Sequence, residues 1–385
     1  MIKFEPNTPS KKVEEVKKTS STLFPRIQRS NSPIHGNRSP NFRVSQKLLL
    51  LPDVKNSKCS SGRTSRVSKF NKIKVSTTRC GVVYGYAANS YRGLARYRKL
   101  DSISLIANLP CPKTMPENIW PRSSYYAIYD GHSGKKCSKY LRDHLHNNIL
   151  SDADFPTKAK KAIFNAFIRT DEDFISQAED QGEMSGSCAV VAMFVGSKCI
   201  VTNTGDSRCL VSCQKGTKII HVSAIHKPDE PKENIRIVQG GGSVTHGYII
   251  NKAGEALTQG QARVIPGNLF VSRAFGNIDA KIPRLGGNPN VVIVDPHIKS
   301  FKINQDFDFI LLATDSLFDL MSNREVVDII WNSLYISRAQ DLATQLNNAV
   351  EDLLNEVKDR EVQKNVTIIL ITLKNLIENL PGENT

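Results

Sequence analysis

The sequence lacks the features that would place it in a membrane, in an oxidising compartment or among cysteine-dependent enzymes. No apolar run reaches the length of about 18 residues that a membrane span needs, and the first residues contain no apolar core of a secretion signal. The eight cysteines include no C-x-x-C pair, and none is followed by arginine six positions later, the spacing that cysteine-dependent phosphatases require. These absences predict an intracellular protein, cytoplasmic or nuclear, with reduced cysteines.

Acidic residues are scarce in one part of the chain only. The first 80 residues carry 18 Lys and Arg against 4 Asp and Glu, whereas the remaining residues carry 34 and 33. The net charge of +15 therefore belongs to an amino-terminal segment rich in serine and proline, which buries too little apolar surface to offset the entropy of ordering. We predict a disordered tail over 1–80, one domain over 81–375 and a short tail over 376–385. No aromatic platform accompanies the basic residues, so we do not expect nucleic-acid binding.

Short apolar runs and longer amphipathic stretches share the chain from Gly81 onward. The predicted strands are 82–86, 125–129, 189–195, 199–203, 209–212, 269–272, 291–294, 309–313 and 367–372. The predicted helices are 135–150, 157–179, 231–239, 324–332 and 340–357. Ser322 precedes the fourth helix as a good N-cap. Because strands come in clusters and helices in separate blocks, the pattern favours a layered α+β domain over a repeating βαβ arrangement.

Two of the predicted strands run directly into an aspartate. The run 125–129 is followed by Asp130, Gly131 and His132, and the run 309–313 is followed by Thr314 and Asp315. A carboxylate at the mouth of a buried strand is costly unless something pairs with it. One shared partner is the simplest explanation for both, and a hard cation held by oxygen ligands would suit them. The alternatives are a tight turn after the first strand and a helix N-cap after the second.

Six segments of the chain, taken together, resemble the PPM family of metal-dependent protein Ser/Thr phosphatases, also called type 2C. In chain order they are YAIYDGHSG, SGSCAVVAMFVGSKCIVTNTGDSRCLV, HKPDEPKENIRIVQGGGSV, GNLFVSRAFGN, FILLATDSLFDLMSNREVVDII and KNVTIILITL. All six occur in the family's order and cover about residues 82–373. The resemblance implies a β-sandwich of two mainly antiparallel sheets flanked by helices, with the site in a cleft at one edge.

The resemblance also implies a metal centre. In the family, two Mg²⁺ or Mn²⁺ ions are bridged by an aspartate and a water or hydroxide, and the ions lower the pKa of that water so that it attacks phosphorus. Matched position by position, Asp130 corresponds to the bridging ligand, Gly131 to a ligand through its backbone carbonyl, and Asp315 to the ligand after the second strand.

Two catalytic roles are implied as well. His132 matches the general acid that protonates the leaving serine or threonine oxygen. Arg96 matches the arginine that binds the substrate phosphate bidentately, since it lies five residues before Asp101, and Arg92 is the alternative because the surrounding residues are only loosely similar.

Several departures from the family pattern cluster on this implied site. A glutamate is replaced by Leu100, and aspartates are replaced by Lys364, Ile225 and Asn277, while Asp-Gly has become Asp315-Ser316. Glu183 stands where some members have an aspartate for a third metal, and glutamate retains the ability to ligate. Lys364 changes the local charge by two units relative to aspartate, so we expect it either to act as a fixed cation beside the aspartates or to bend outward to solvent through its flexible stem.

Two functions stay open on the sequence alone. The first is hydrolysis of phosphoserine and phosphothreonine in proteins, impaired or lost, with none or one of the family's two ions bound. The second is a catalytically inactive pseudophosphatase that acts as a binding or regulatory scaffold. Either way we expect a phosphoprotein or another protein as partner, no membrane association, and a monomer.

Overall fold

The computed structural model describes residues 72–94, 100–250, 256–338 and 340–379, without the side chains of 248–250, 256–259 and 379. The chain separates into two units, 1–64 and 65–385, and all described residues belong to the second. Most of the predicted amino-terminal tail and Arg96 therefore lie outside the described residues.

Strands and helices alternate in clusters along the described chain. The strands are β1 (Lys74–Ser76), β2 (Val83–Tyr91), β3 (Ser102–Ile106), β4 (Ser123–His132), β5 (Gly186–Val195), β6 (Lys198–Thr204), β7 (Arg208–Cys213), β8 (Lys218–His221), β9 (Ser243–Ile250), β10 (Ala256–Ile265), β11 (Phe275–Gly276), β12 (His297–Lys302), β13 (Phe307–Ala313) and β14 (Val366–Leu373). The helices are α1 (Lys136–Leu150), α2 (Ala159–Gln181), α3 (Pro231–Gln239), α4 (Ile278–Lys281), α5 (Asp315–Phe318), α6 (Asn323–Ile336), α7 (Leu342–Asp359) and α8 (Lys374–Asn379).

Two antiparallel sheets form the centre of the described fold. The first has the strand order β1-β2-β14-β13-β7-β8, and the second has the order β12-β6-β5-β4-β3, with β11 pairing on β5. A separate hairpin is formed by β9 and β10. The prediction of an α+β sandwich with mainly antiparallel sheets is confirmed.

The alternation of side chains explains why both faces of each sheet are apolar. On β13, Phe309 and Leu311 pack in one core while Ile310 and Leu312 pack in another. The core of Ile310 and Leu312 is shared with the second sheet, since it contains Ile128 of β4. Successive side chains of a strand point to opposite faces, so each central strand contributes to the interior of the sandwich and to the layer under the helices.

Helices cover the outer face of each sheet. The core under α6 and α7 includes Val327 and Leu353, and the core under α1 and α2 includes Leu141 and Phe167. The start of α6 is fixed by a capping box, in which the Ser322 hydroxyl accepts from the Glu325 amide and the Glu325 carboxylate accepts from the Ser322 amide. This N-cap is the one predicted from the sequence.

Several features differ from the sequence prediction. The predicted strands did not include β3, β8, β9, β10 or β12. Strand β1 pairs with β2 through Lys74–Ser76, so the sheet begins before residue 81, and α8 continues past residue 375. The runs 269–272 and 291–294 form only isolated bridges instead of strands. Val271, Val291 and Val292 of these runs are buried in a small core of their own. This burial explains why the runs are apolar although they form no strand. Within the described ranges, no helix combines the length and apolarity required to cross a membrane.

Candidate functional site

A cleft of about 450 Å³ lies at one edge of the sandwich, where several strands end. Its lining comes from the ends of β4 and β13, the β6–β7 turn, the segment before β14 and the loop after β10. The residues that line it are Leu100, Asp101, Asp130, Gly131, His132, Ser133, Cys188, Asp206, Arg263, Asn268, Leu269, Phe270, Val271, Asp315, Ser316, Gln363, Lys364 and Asn365. Asp130, Gly131, His132 and Asp315 of the predicted site therefore converge on one cavity.

Asp130 and Asp315, which are remote in sequence, lie in this same cleft. Burial, and then the negative charges of Asp101, Asp315 and Asp206, raise the pKa of Asp130 well above its usual range. Like charges at close quarters disfavour ionisation in this way. The expectation that the two aspartates after the strands meet is therefore confirmed. The carboxyl groups in the cleft are close enough that ionisation of all of them is unfavourable.

Asp206 is a member of the cleft that the sequence analysis did not single out. It is buried, with 6 % of its surface exposed, and burial together with the charge of Asp315 raises its pKa to about 7. The Cys188 thiol lies 3.8 Å from its Oδ1 atom. The signal was present in the sequence, because the apolar β6 also leads into an aspartate, here across Gly205, whose φ is 106°.

Gly131 is required by close packing at the end of β4. A Cβ atom at this position would lie 2.6 Å from the carbonyl oxygen of Leu100. That oxygen accepts a 2.5 Å hydrogen bond from the Ser138 hydroxyl. The glycine therefore has a structural reason to be here, whatever its carbonyl binds, because only glycine permits this approach.

Lys364 lines the cleft and pairs with its carboxylates, and about half of its side chain stays in contact with solvent. Its Nζ atom lies 3.1 Å from Oδ2 of Asp315 and 3.8 Å from Oδ2 of Asp319. Burial alone would lower the pKa of Lys364, but the attraction and hydrogen bond of Asp315 outweigh it and raise that pKa to about 12. The ammonium group is therefore a permanent cation at one wall of the cleft. It pairs with Asp315 and Asp319, and it acts on Asp130 only at longer range.

His132 lines the cleft and is held by Asn277. Its Nε2 atom lies 2.8 Å from Oδ1 of Asn277, which matches a protonated Nε2 donating to the amide oxygen. Gly186 makes room for this pair, because a Cβ there would collide with both side chains. Burial, only partly offset by the Asn277 hydrogen bond, lowers the pKa of His132. The imidazole is therefore neutral at pH 7, so it is not in the imidazolium form from which a general acid donates its proton.

The arginine predicted to bind phosphate is not settled by the described residues. Arg96 lies outside them, and Arg92 is exposed and is not among the residues lining the cleft. Arg263 of β10 does line it, with its guanidinium stacked 3.7 Å from the centre of the Phe270 ring and donating to the Asn268 carbonyl at 2.7 Å. The sequence analysis did not single out Arg263.

Two of the departures from the family pattern have visible local consequences. The Ser316 hydroxyl donates to Oδ1 of Asp315 at 3.1 Å, so both oxygens of that carboxylate have a partner. Glu183 forms an ion pair with Lys136 at 3.1 Å and accepts from the Ser185 amide at 3.0 Å. These partners lower the pKa of Glu183 against the opposing effect of burial. Glu183 is not part of the cleft lining.

The donor set does not fit a two-ion metal centre. In the part of the chain that the structure describes, no group of three or more His, Cys, Asp or Glu side chains is arranged to hold a metal ion. Leu100 supplies no ligand oxygen, and Lys364 places a positive charge against Asp315. A cation near Asp130 and Asp206 would stabilise their ionised forms, which burial and then the neighbouring carboxylates disfavour.

Comparison with known proteins gives a consistent answer. The model of the family described as "Protein phosphatase 2C" matches residues 96–366. "Probable protein phosphatase 2C 45" of Oryza sativa subsp. japonica is 32% identical over 246 residues, which cover 64% of this chain and 75% of the relative. "Probable protein phosphatase 2C 69" of Arabidopsis thaliana is 34% identical over 205 residues, covering 53% of this chain and 51% of the relative. The chain thus spans about half the length of the second of these proteins.

Solved structures support the fold. A serine-threonine phosphatase 2C from Toxoplasma gondii superposes with a TM-score of 0.57 at 20% identity, covering 79% of this chain and 99% of the other. A C. elegans sex determining protein gives a TM-score of 0.61 at 18% identity, covering 77% and 66%. At such identities the likeness establishes the arrangement of strands and helices, and nothing about the chemistry.

Proposed function

The chain belongs to the protein phosphatase 2C family, and from that membership we propose that it is a phosphoprotein-binding domain whose metal-dependent hydrolysis is impaired or lost. Its fold and its match to the family model imply descent from enzymes that remove phosphate from serine and threonine in proteins. The family is generally dependent on Mg²⁺ or Mn²⁺. The question for this chain is therefore whether its cleft can hold and use such ions.

One contact carries the proposal, the ion pair between Lys364 and Asp315. The ammonium lies 3.1 Å from the carboxylate, at a position where the resemblance implies a metal-ligating aspartate. A divalent ion at Asp315 would have to displace this bond and would then lie close to a positive charge. The repulsion between unit charges about 4 Å apart is about 1 kcal/mol in water and about 4 kcal/mol at an effective dielectric constant of about 20. This is enough to weaken a metal site strongly.

The surroundings of His132 support the same proposal. A general acid works best when its pKa lies near the working pH, and burial lowers the pKa of this imidazole. Its partner is the neutral amide of Asn277 at 2.8 Å. An aspartate at that place would stabilise the imidazolium form, and the amide does so much less.

Weak hydrolysis with a single ion is the second candidate. It is favoured by the environment of Asp130 and Asp206, whose pKa values are raised first by burial and then by neighbouring carboxylates, since a bound cation would stabilise their ionised forms. Asp130, Asp206 and the Gly131 carbonyl are the oxygen donors that would hold such an ion.

Phosphate release from a phosphothreonine peptide separates the two candidates. The full chain is assayed with Mn²⁺ over a range of concentrations, beside an Asp130→Asn variant as matched control. We expect both proteins to give the same background rate, because loss of a ligand has no effect where hydrolysis is already absent. Release by the wild type that exceeds the variant and rises with Mn²⁺ would refute the loss of turnover and favour single-ion hydrolysis.

A further inference from the structure

A second cavity, of about 300 Å³, opens beside the cleft. It lies where β1, β2 and β14 of the first sheet meet β3 and the first half of α1. We call it the basic pocket. Its lining residues are Lys72, Lys74, Ala88, Asn89, Ser90, Asp101, Ser102, Ile103, Lys135, Arg142 and Thr367. Asp101 lines both the basic pocket and the cleft, so the two cavities are neighbours.

Four basic residues dominate the charge of the basic pocket. Arg142 is held by its sequence neighbour Asp143 through two hydrogen bonds of 2.7 and 2.9 Å. Lys72, Lys74 and Lys135, by contrast, form no ion pair with any other residue of the described ranges. Three ammonium groups around one cavity repel each other, and a bound anion would relieve that repulsion.

A single acidic residue lines the described part of the pocket, and it is already engaged. Asp101 is 3 % exposed, and its Oδ2 atom accepts a 2.5 Å hydrogen bond from the Thr367 hydroxyl. Register places Thr367 of β14 opposite Ser90 of β2, so the floor of the pocket is built from paired backbone. The carboxylate is thus set into the floor, while the lysines are exposed or half-buried at the rim.

The floor of the pocket is polar. It is formed by buried amide and hydroxyl side chains, those of Asn89, Ser90, Ser102 and Thr367. Such a floor suits a ligand that has hydrogen-bonding oxygens. The described residues of the lining include no aromatic ring on which a nucleobase would stack. Charge and polarity together favour a small, highly charged oxyanion over a base or an apolar group.

We propose that the basic pocket binds the phosphoryl group of a phosphorylated protein segment, at a site separate from the cleft. A phosphoserine or phosphothreonine carries close to two negative charges and three acceptor oxygens, which match the three lysines and the polar floor. The cleft is a poor competitor without divalent ions, because its carboxylates repel phosphate. This inference rests on the proposed phosphoprotein partner, and it holds whether or not the cleft hydrolyses phosphate.

The test measures binding of a fluorescent phosphothreonine peptide to the full chain in EDTA, so that binding in the cleft is suppressed. The peptide is compared with its unphosphorylated form, and inorganic phosphate serves as competitor. The variant is the double substitution Lys74→Gln and Lys135→Gln. The matched control is Lys139→Gln, an exposed lysine of α1 that lines neither cavity. Thermal unfolding verifies that all variants fold.

We expect the phosphorylated peptide to bind at least about tenfold more tightly than the unphosphorylated one, because charge-assisted hydrogen bonds form only with the phosphate. The double variant should weaken binding about tenfold and the control less than about twofold, and inorganic phosphate should compete. Phosphate release is scored separately, so turnover by the protein refutes the proposed function without touching this result.

Three results would overturn the inference. The first is that the double variant binds the phosphopeptide as tightly as the control does. The second is that phosphorylation of the peptide makes no difference to its affinity. The third is that inorganic phosphate binds at the pocket and the phosphopeptide does not. Tighter binding of a single-stranded oligonucleotide that depends on the same two lysines would instead assign the pocket to nucleic acid.

Discussion

Replacing Lys364 with aspartate tests whether its ammonium group is what keeps divalent ions out of the cleft. In the structure this group lies 3.1 Å from Oδ2 of Asp315 and 3.8 Å from Oδ2 of Asp319. The substitution removes the cation, frees one oxygen of Asp315 and adds a carboxylate at the same wall. All three changes favour binding of Mn²⁺.

The size of the expected change in Mn²⁺ affinity follows from the distance between Lys364 and Asp315 and from the solvent exposure of the lysine. A unit charge pair at the observed 3.1 Å is worth about 1 kcal/mol in water and about 5 kcal/mol at an effective dielectric constant of about 20. The Lys364 side chain is 52 % exposed, so screening by solvent places the value near the lower figure, at about 1–2 kcal/mol. We therefore expect Mn²⁺ to bind about fivefold to thirtyfold more tightly to the variant.

Calorimetric titration of the full chain with Mn²⁺ measures this affinity directly and needs no turnover. A Lys364→Met variant is the matched control, because it removes the charge and adds no ligand. We expect the order of affinity to be aspartate, then methionine, then lysine.

Equal affinity of all three proteins for Mn²⁺ would refute the reasoning, since it would show that the ammonium group does not govern the site. Tighter Mn²⁺ binding by the aspartate variant, with no change in the methionine variant, would mean that the missing ligand limits the affinity and that repulsion by the ammonium group does not.

Three further predictions concern buried groups. Asp206→Asn should stabilise the protein in EDTA at pH 8 by up to about 4 kcal/mol and have little effect at pH 4. Folding raises the pKa of Asp206 to about 7, so its destabilising contribution grows as the pH rises from about 4 and is complete above about 7; urea unfolding at both values checks this. Asn277→Asp should raise the pKa of His132 by about one unit or more, since a carboxylate replaces an amide at 2.8 Å; this is measured by NMR titration of the imidazole. Glu233 is buried and forms an ion pair with Arg273. Burial alone would raise the pKa of Glu233, but its bonds, chiefly to Arg273, outweigh it and lower that pKa to about 2. The stabilisation of the folded state by this ion pair is therefore complete above pH 4.5 and is lost as the pH falls towards 2. At pH 3 the wild type should have lost about 2 kcal/mol that Glu233→Gln does not lose, again by urea unfolding.

Each of these has an outcome that contradicts it. Destabilisation of the Asp206 variant at pH 8 would mean that its carboxylate makes a favourable contact at that pH. An unchanged titration of His132 would show that Asn277 does not control its protonation. Parallel pH profiles for wild type and Glu233→Gln would remove the ion pair with Arg273 as a source of acid sensitivity.

Local pattern was enough to predict most of the fold. Continuous apolar runs identified β4, β13 and β14, because a strand buried on both faces needs apolar side chains at nearly every position. The N-cap residue Ser322 marked the start of α6, because its side chain satisfies a backbone amide of the first turn. The strand prediction was wrong at 269–272 and 291–294. Burial in a small core required apolar residues there, but no strand formed.

The site divides in the same way. The sequence by itself identified two carboxylates that end strands, and the cost of leaving both unpaired predicted that Asp130 and Asp315 share one partner and so lie close together. Only the tertiary structure decided that Asp206 joins them, that Lys364 turns inward to Asp315, and that the lysines before β2 border a second cavity. The direction of a long side chain and the charge that surrounds it depend on residues far away in the chain, and spacing along the sequence does not record them.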